Sequence, residues 1–270
     1  MKKILPLLLE RLSCKVTTLN CNADGNFTRG AEPLPHNLSE LSKSVIETES
    51  DLGIAIDPDG DRLAIVDEKG NPIGEESTLV ICCESILMSK EIKTPLVTNL
   101  STSMAIDELA KKYDVNVSRS NVGEINVVTE MKKVNAVIGG EGNGGVIYPK
   151  SHYGRDAIVG IGLFLSLYSE RGLKASELLE TYPKYFMLKE KINLSNNLNV
   201  DKILNQIAKK YKNEKLDLID GVRIDFNESW VQLRKSNTES IIRIYSEAKS
   251  IDKAAELVNE IDDLVKEIIN

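Results

Sequence analysis

The sequence predicts an α/β protein in which two α/β units are followed by a small α+β domain. Helical and strand patterns alternate along roughly the first two thirds of the chain, which is typical of α/β units. The periodicity then fades into a charged connector at residues 184–199. Beyond it the order changes to one helix, three strands and a last helix, which indicates an α+β domain. We expect three domains, over residues 1–75, 76–186 and 187–270.

The first unit begins with an amphipathic helix, because apolar residues recur at i, i+3 and i+4 spacing from Ile4 to Leu12. A β-type run at residues 15–19 and a polar, aperiodic stretch follow. A helix is predicted at 38–47, and short apolar runs bounded by turn residues predict strands at 52–56 and 63–67.

The same patterns place the remaining elements. In the second unit they predict helices at 75–90, 104–112, 156–169 and 175–179, and strands at 95–98 and 134–138. In the last domain they predict helices at 201–211 and 251–269, and strands at 222–226, 230–234 and 241–247.

Composition excludes several classes of protein. With 270 residues, 41% hydrophobic and 28% charged, the chain has the apolar material for real cores, which excludes disordered and fibrous proteins. The net charge of −7 argues against nucleic acid or an anionic membrane as a partner. The apolar run at residues 4–9 is shorter than the roughly 7 to 15 residues of a signal-peptide core. Four cysteines without a C-x-x-C spacing favour a reducing, cytoplasmic location.

An acidic loop directly follows the strand at 52–56. Its sequence, Asp-Pro-Asp-Gly-Asp-Arg, places Asp57, Asp59 and Asp61 ahead of Arg62. Neighbouring carboxylates repel one another unless a cation compensates, and alternating oxygen ligands suit Mg²⁺ or Ca²⁺. We place this loop at the end of a parallel strand, where α/β folds bind ligands. A solvated acidic turn is the alternative.

A different chemistry is also open at this loop. A strand followed by an Asp-x-Asp-Gly-Thr-like run is similar to the Asp-nucleophile phosphatases of the haloacid dehalogenase type. Asp57 would then be a covalent nucleophile, Asp59 an acid/base, and Thr98 part of a second motif. Against this, Asp61 puts a third charge where a small neutral side chain belongs.

Two further loops carry polar groups suited to ligands. Residues 139–145 hold five glycines around Glu141 and Asn143, so the backbone can approach a ligand while the side chains reach neighbouring sugar hydroxyls. Arg234 and Arg243 flank a run of hydroxyl and amide side chains that suits a phosphate group. For each loop a plain hairpin turn, glycine-rich or polar, is the alternative.

In this order the three loops resemble the α-D-phosphohexomutase family, which includes the phosphomannomutases, phosphoglucomutases and phosphoglucosamine mutases, and most resemble its archaeal-type members. Residues 57–62 are similar to the family's metal loop, 140–145 to its sugar-binding loop and 234–243 to its phosphate-binding loop. Flanking stretches at 19–27, 98–103, 122–124 and 153–157 are also similar.

The resemblance implies an isomerase that transfers a phosphoryl group between C1 and C6 of a hexose phosphate through a bisphosphate. It implies that a phosphoserine and Asp57, Asp59 and Asp61 hold Mg²⁺, with Arg62 beside the transferring phosphoryl group. Glu141 and Asn143 would hold sugar hydroxyls. The groups that would grip the distal phosphate are Arg234, Ser236, Asn237, Thr238 and Arg243.

The chain also departs from the family pattern. No Thr-x-Ser-His-Asn-Pro-like segment occurs in it, and it opens in what resembles the first helix of the family's second domain. We therefore expect an incomplete second domain and an uncovered sheet edge. We also expect the chain to act only if a separate chain supplies the serine domain, and to be a gene remnant otherwise. Lys235 and Ser240 replace two prolines and Gly145 replaces a frequent histidine, which leaves the preferred hexose open. A non-catalytic hexose-phosphate binding protein is the alternative function.

Overall fold

The computed structural model describes residues 2–22, 27–89, 91–193, 199–236 and 241–269. The chain divides into two compact units. Unit 1 comprises residues 1–99, 106–119 and 123–183, and unit 2 comprises residues 100–105, 120–122 and 184–270. Within the described ranges, no helix is both long enough and apolar enough to cross a membrane. The α/β class with a following α+β domain is confirmed, whereas the boundaries near residues 75 and 186 stay predictions.

Unit 1 begins with two helices and a β-hairpin: α1 (Ile4–Arg11), α2 (Ser39–Glu47), β1 (Gly53–Ile56) and β2 (Leu63–Val66). The two strands are antiparallel, in register from Gly53 opposite Val66 to Ile56 opposite Leu63. Val45 of α2 packs against Ala55, Ala64 and Val66 of the hairpin, so one face of the hairpin is buried.

Two expectations for this region are wrong. Residues 15–19 form no strand, because a strand needs a hydrogen-bonded neighbour and none of the described residues pairs with this run. The acidic loop does not end a parallel strand either, since it joins β1 to its antiparallel neighbour β2. A connection as short as residues 57–62 can only link antiparallel strands, because a parallel crossover needs a dozen or more residues.

A second sheet and its helices follow. They are α3 (Glu75–Leu87), β3 (Leu96–Asn99), α4 (Ala105–Lys112), β4 (Val117–Ser120), α5 (Glu124–Val134), β5 (Gly139–Glu141), β6 (Gly145–Ile147), α6 (Ala157–Arg171) and α7 (Ala175–Glu180). The strand order is β4-β3-β5-β6, with β3 and β5 parallel. Helices α3 and α6 pack closely, and the Cys82 thiol donates to the Gly160 carbonyl at 3.3 Å.

The strand expected at residues 134–138 is wrong, because the observed strand β5 begins just after these residues. Val134 ends α5, and the strand begins only at Gly139, where pairing with Val97 of β3 becomes possible. Neither α5 nor β4 was expected. The apolar residues of α5, among them Val127 and Met131, lie on one buried face, but they are separated by polar residues that weaken the helical signal.

Unit 2 contains a five-stranded antiparallel sheet in the order β7-β11-β10-β9-β8. Its elements are β7 (Phe186–Asn193), α8 (Val200–Lys210), β8 (Lys215–Asp217), β9 (Val222–Asp225), β10 (Ser229–Lys235), β11 (Ile241–Ala248) and α9 (Ile251–Ile269). Apolar residues of α8 and α9 form one core with the central strands. The expected connector at 184–199 is wrong, because it contains β7. As an edge strand, β7 is largely exposed and carries little apolar alternation.

Candidate metal and sugar-phosphate site

The acidic loop is folded around the carboxylate of Asp57. Asp57 is buried, and its Oδ1 accepts the backbone N–H groups of Gly60, Asp61 and Arg62 at 3.1, 2.9 and 3.0 Å. Gly60 has a φ of +81°, a conformation that favours glycine. The Gly60 carbonyl accepts the backbone N–H of Ala157 at 3.0 Å, which fastens the loop to the start of α6. The position of Asp57 is therefore fixed by main-chain groups.

The structure brings the three predicted aspartates together. One carboxylate oxygen from each of Asp57, Asp59 and Asp61 lies within 4.8 Å of the other two. Asp57 is buried, Asp61 half-buried and Asp59 exposed. Among the described residues, nothing donates a hydrogen bond to the buried Oδ1 of Asp61. Converging carboxylates with an unsatisfied oxygen fit a hard divalent cation such as Mg²⁺.

The pKa values of Asp57 and Asp61 also indicate that a cation would stabilise this cluster. Burial, together with a hydrogen bond to Asp57, raises the pKa of Asp61 to about 7. Burial also acts to raise the pKa of Asp57, but hydrogen bonds from Asp61 and the loop N–H groups outweigh it and hold that pKa below its ordinary value. A divalent cation bound by the cluster would favour the ionised form of Asp61 and so oppose this rise in its pKa.

Arg62 lies beside the aspartates, whereas its expected place next to a phosphoryl group stays a prediction. Its Nε is 3.7 Å from Asp57 Oδ2 and 3.8 Å from Asp61 Oδ1, and a terminal nitrogen bonds Glu32 at 2.6 Å. The Nε is buried, and within the described ranges it has no hydrogen-bond partner. The guanidinium therefore lies next to the acidic cluster, and its Nε–H can still donate a hydrogen bond to a ligand.

Arg155 joins the acidic loop to the glycine-rich loop, and sequence analysis did not identify it as a site residue. Its guanidinium bonds Asp61 Oδ2 and donates to Glu141 Oε2 at 2.8 Å, and its Nε is 3.3 Å from Glu124 Oε2. Only 14% of the side chain is exposed. The available signal was its position directly before Asp156, whose carboxylate caps α6.

Glu141 lies at the end of β5 and is fully engaged. Its Oε1 accepts the Asn99 side-chain amide at 2.8 Å and the Gly123 backbone N–H at 2.9 Å, while Oε2 accepts Arg155. Asn143, in the following turn, accepts the Gly145 N–H at 3.1 Å. The structure therefore links Glu141 to the acidic cluster through one guanidinium. Contact of either side chain with a sugar stays a prediction.

One glycine explains why the glycine-rich turn lies against the acidic hairpin. The turn connects the antiparallel strands β5 and β6, so it is a hairpin. Gly144 has a φ of +84°, and a Cβ there would lie 2.3 Å from the Leu63 carbonyl. The Gly144 carbonyl accepts the Leu63 N–H of β2 at 3.1 Å. A larger residue at position 144 would separate the turn from β2.

The predicted phosphate-binding residues lie in unit 2. Arg234 of β10 and Arg243 of β11 are directly opposite each other in register, an arrangement in which like charges repel. Arg234 reaches Asp220 only at 3.9 Å, and its buried Nε has no hydrogen-bond partner in the part of the chain that is described. Ser236 is buried at the end of the strand. Asn237 and Thr238 lie outside the described residues.

These features define a class: an α/β protein with a carboxylate metal loop that is tied to a glycine-rich turn. Family models identify the class further. Residues 1–70 match phosphoglucomutase/phosphomannomutase alpha/beta/alpha domain II, residues 75–185 match alpha/beta/alpha domain III, and residues 191–264 match the C-terminal domain. The chain belongs to the α-D-phosphohexomutase family, which confirms the resemblance of the three loops.

Curated relatives agree with this assignment. The chain is 38% identical over 255 residues to a phosphoglucomutase/phosphomannomutase of Thermococcus kodakarensis, covering 93% of this chain and 55% of that protein. It is 36% identical to a phosphoglucosamine/phosphogalactosamine mutase of Sulfurisphaera tokodaii, covering 97% and 58%. The chain therefore spans less than two thirds of the length of these relatives.

A solved structure shows the same fold. A phosphoglucomutase/phosphomannomutase family protein of Burkholderia thailandensis superposes with a TM-score of 0.84 at 23% identity, covering 97% of this chain and 57% of that one.

Proposed function

We propose that this chain provides the metal, sugar and phosphate loops of a phosphohexomutase, which transfers a phosphoryl group between C1 and C6 of a hexose phosphate through a bisphosphate. The observation that carries the proposal is the acidic cluster of Asp57, Asp59 and Asp61, linked by Arg155 to Glu141. The relatives support it, since they are named as a phosphoglucomutase/phosphomannomutase and a phosphoglucosamine/phosphogalactosamine mutase.

The three aspartates would hold Mg²⁺, which when bound stabilises the negative charge of a transferring phosphoryl group. Asp57 is already fixed by three backbone N–H groups, so its free oxygen needs little reorganisation to act as a ligand. Arg62 would donate its unpaired Nε–H to a phosphoryl oxygen. Its contact with Glu32 would orient the guanidinium for that role.

The substrate would be held at both ends. Glu141 and Asn143 would accept hydrogen bonds from adjacent sugar hydroxyls, each by exchanging part of its present contacts. The opposed pair Arg234 and Arg243, with Ser236, Asn237 and Thr238, would grip the distal phosphate, whose charge would offset the repulsion between the two guanidinium groups. A reaction through a bisphosphate would require these contacts to accept the sugar in both orientations, because the phosphoryl group is exchanged at C1 and at C6.

The phosphoryl carrier is not among the residues described here as site residues. The 270 residues contain no Thr-x-Ser-His-Asn-Pro-like segment, so we infer that a segment outside them, in the same polypeptide or in a separate one, would supply the phosphoserine. The described residues of this chain would then bind and orient the substrate rather than form a covalent intermediate.

The structure does not favour the Asp-nucleophile phosphatase. That interpretation needs Asp57 and Thr98 at the ends of neighbouring strands. Asp57 instead follows a strand of the two-stranded sheet, and Thr98 lies in β3 of the other sheet of unit 1.

A coupled mutase assay tests the proposal. The purified chain is supplied with Mg²⁺, a hexose 1-phosphate and catalytic hexose 1,6-bisphosphate, with and without the serine domain of the Thermococcus kodakarensis relative added as a separate protein. We expect turnover only when that domain is present, and loss of turnover in Asp59→Ala. Asp263→Ala, which removes an exposed carboxylate of α9, is the matched control.

Each other outcome contradicts a defined part of the proposal. Turnover by the chain alone would show that a residue within the 270 carries the phosphoryl group. Tight binding of hexose phosphate without turnover in either arm would favour a non-catalytic binding protein. Release of phosphate from a generic phosphoester, abolished in Asp57→Asn, would support the phosphatase.

A further inference from the structure

Arg155 is held between two carboxylates that belong to different loops of unit 1. Its guanidinium bonds Asp61 Oδ2 in the acidic loop and donates to Glu141 Oε2 at 2.8 Å. Asp61 is one of the proposed metal ligands, whereas Glu141 is one of the proposed sugar-binding groups. Arg155 therefore occupies an oxygen that a ligand would need in each of the two loops.

The bridge depends on the glycine at position 145. A Cβ at Gly145 would lie 2.3 Å from Arg155 Cδ and 3.0 Å from Arg155 Cγ, so a larger residue would push the arginine stem aside. The φ of Gly145 lies outside the left-handed region, so alanine can adopt the same backbone conformation. Glycine is therefore needed here for space, and the space is taken by Arg155.

The bridge leaves a buried polar atom unsatisfied on each of its two partners. Among the described residues, neither Asp61 Oδ1 nor Arg155 Nε has a hydrogen-bond partner. Buried polar atoms without a partner cost free energy, so this arrangement of the guanidinium is open to exchange with a better one.

Glu124 offers Arg155 a second place. The Arg155 backbone N–H already donates to Glu124 Oε1 at 3.1 Å, and Glu124 Oε2 is 3.3 Å from Arg155 Nε. A guanidinium binds a carboxylate most strongly through two adjacent N–H groups. If Arg155 turned into that arrangement with Glu124, its Nε would be paired and both oxygens of Asp61 would be available to a cation.

We propose that Arg155 moves from Asp61 to Glu124 when a divalent cation binds at the acidic loop, and that this movement releases Glu141. The positive charge of the cation repels the guanidinium. The terminal nitrogen that joins Nε in the pair with Glu124 leaves Glu141 Oε2, which can then accept a sugar hydroxyl. This rests on the proposed function, because it takes Mg²⁺ and a hexose phosphate as the two ligands.

The consequence is that the two ligands help each other to bind. One guanidinium competes with both of them, so its displacement costs free energy only once, and the ligand that binds second avoids that cost. By linkage, Mg²⁺ raises the affinity for the sugar by the same factor as the sugar raises the affinity for Mg²⁺.

The Nε–H resonance of Arg155 tests the movement directly. In isotope-labelled protein this resonance is assigned by its loss in Arg155→Gln. We expect a downfield shift during a titration with Mg²⁺, because Nε gains Glu124 as an acceptor, and a much smaller shift in Glu124→Gln. An Nε–H resonance that Mg²⁺ leaves unchanged would show that Arg155 stays in the bridge, and the proposal would be wrong.

The affinity for Mg²⁺, measured by titration calorimetry, tests the competition. We expect Arg155→Gln and Gly145→Ala to bind Mg²⁺ about tenfold more tightly than the unmodified protein, since the bound cation no longer has to displace the guanidinium. Gly145→Ala moves the arginine stem without changing any charge. Gly162→Ala in α6, where a Cβ meets nothing within 4 Å, is the matched control and should bind as the unmodified protein does. Weaker binding in both variants would show that Arg155 only supports Asp61 as a ligand, and would overturn the proposal.

The link to Glu141 is measured with the 1-phosphates of glucose, mannose and glucosamine, tested in turn. We expect the one that binds most tightly to raise the affinity for Mg²⁺ about tenfold when it is saturating, which lies within the usual range of coupling between sites. Inorganic phosphate, which has no sugar hydroxyl, should raise it less. In Gly145→Ala the hexose phosphate and inorganic phosphate should have equal effects.

Failure of this proposal differs from failure of the proposed function. If a hexose phosphate binds equally well with and without Mg²⁺, the coupling through Arg155 is wrong although the proposed function stands. If the Arg155 resonance and the Mg²⁺ affinities behave as expected but none of the hexose phosphates binds in the presence of Mg²⁺, the movement of Arg155 stands and the proposed function fails.

Discussion

Two regions of this protein each concentrate charge of one sign, and their charge is compensated differently. The acidic loop of unit 1 surrounds its carboxylates with three backbone N–H groups, Arg62 and Arg155. In unit 2, Arg234 of β10 lies opposite Arg243 of β11, and the nearest Asp220 oxygen is 3.9 Å from Arg234. The acidic loop is therefore largely compensated before any ligand arrives. The buried Nε of Arg234 has no hydrogen-bond partner among the described residues, so an incoming anion would add compensation there.

The largest expected effect on stability comes from removing a cation that compensates the acidic loop. Arg155→Ala leaves Asp61 and Glu141 without their shared cation, and loss of one partner of a buried pair costs about 3–5 kcal/mol. We expect a loss of that size in the free energy of unfolding, measured with urea, and partial recovery in saturating Mg²⁺. Arg171→Ala, which loses a contact to Glu84 on another face of unit 1, should show no Mg²⁺-dependent recovery. Equal recovery in both variants would contradict the role of Arg155.

Removing a carboxylate from the acidic loop should weaken metal binding. We expect Asp61→Asn to lower Mg²⁺ affinity by more than about 100-fold, the upper end of what residues that merely support metal ligands contribute. Titration calorimetry with Mg²⁺ checks this. Asp263→Ala should bind as the unmodified protein does, and an unchanged affinity in Asp61→Asn would remove Asp61 from the proposed ligands.

At the arginine pair of unit 2, removing a charge should change the free energy of unfolding in the opposite direction. Arg234→Ala relieves repulsion, so we expect the free energy of unfolding without anions to stay equal or rise slightly. Phosphate affinity should fall by about tenfold or more, since a charge-assisted hydrogen bond contributes about 1.5–3 kcal/mol. Urea unfolding with and without phosphate separates the two effects. Strong destabilisation in the absence of anions would show that Arg234 is a structural residue.

A smaller effect, which depends on pH, is expected at Glu84. This carboxylate differs from those of the acidic loop because several donors of the protein already compensate its charge. Buried Glu84 of α3 accepts hydrogen bonds from Lys112, Tyr113 and Arg171 at 2.7, 2.7 and 2.8 Å. Burial acts to raise the pKa of Glu84, but hydrogen bonds from Lys112, Tyr182 and Tyr113 outweigh burial and hold the pKa below its ordinary value. The ionised form therefore stabilises the fold above the unfolded pKa, and this contribution is lost as pH falls through the lower folded pKa.

We expect Glu84→Gln to lose about 1.5–3 kcal/mol at neutral pH, with the difference shrinking below about pH 4. Urea unfolding across pH 3–7 measures it. A difference that stays constant down to pH 3 would contradict the charge-based role. Mg²⁺ should not change the loss of stability in Glu84→Gln, whereas it should reduce the loss in Arg155→Ala.

Sequence patterns predicted most helices and three of the strands of the last domain, β9, β10 and β11, but they missed elements that are only partly buried. Strand β7 is an exposed edge, so its residues show little alternation. Residues 15–19 have strand propensity without a strand partner in the described chain, which propensity alone does not reveal. Helix α5 was missed because polar residues interrupt its buried face. In each case the deciding contact is with residues distant in sequence.

The sequence by itself determined the family and the chemical groups at hand: three aspartates ahead of Arg62, a glycine-rich loop with Glu141, and two arginines around a polar run. These are local patterns, and each is held within a few consecutive residues. Only the tertiary structure decided that Arg155 joins Asp61 to Glu141, and that the Gly144 carbonyl accepts the Leu63 N–H of β2. The physical reason is that ion pairs and strand pairing depend on distances between residues far apart in the chain, which no local pattern encodes.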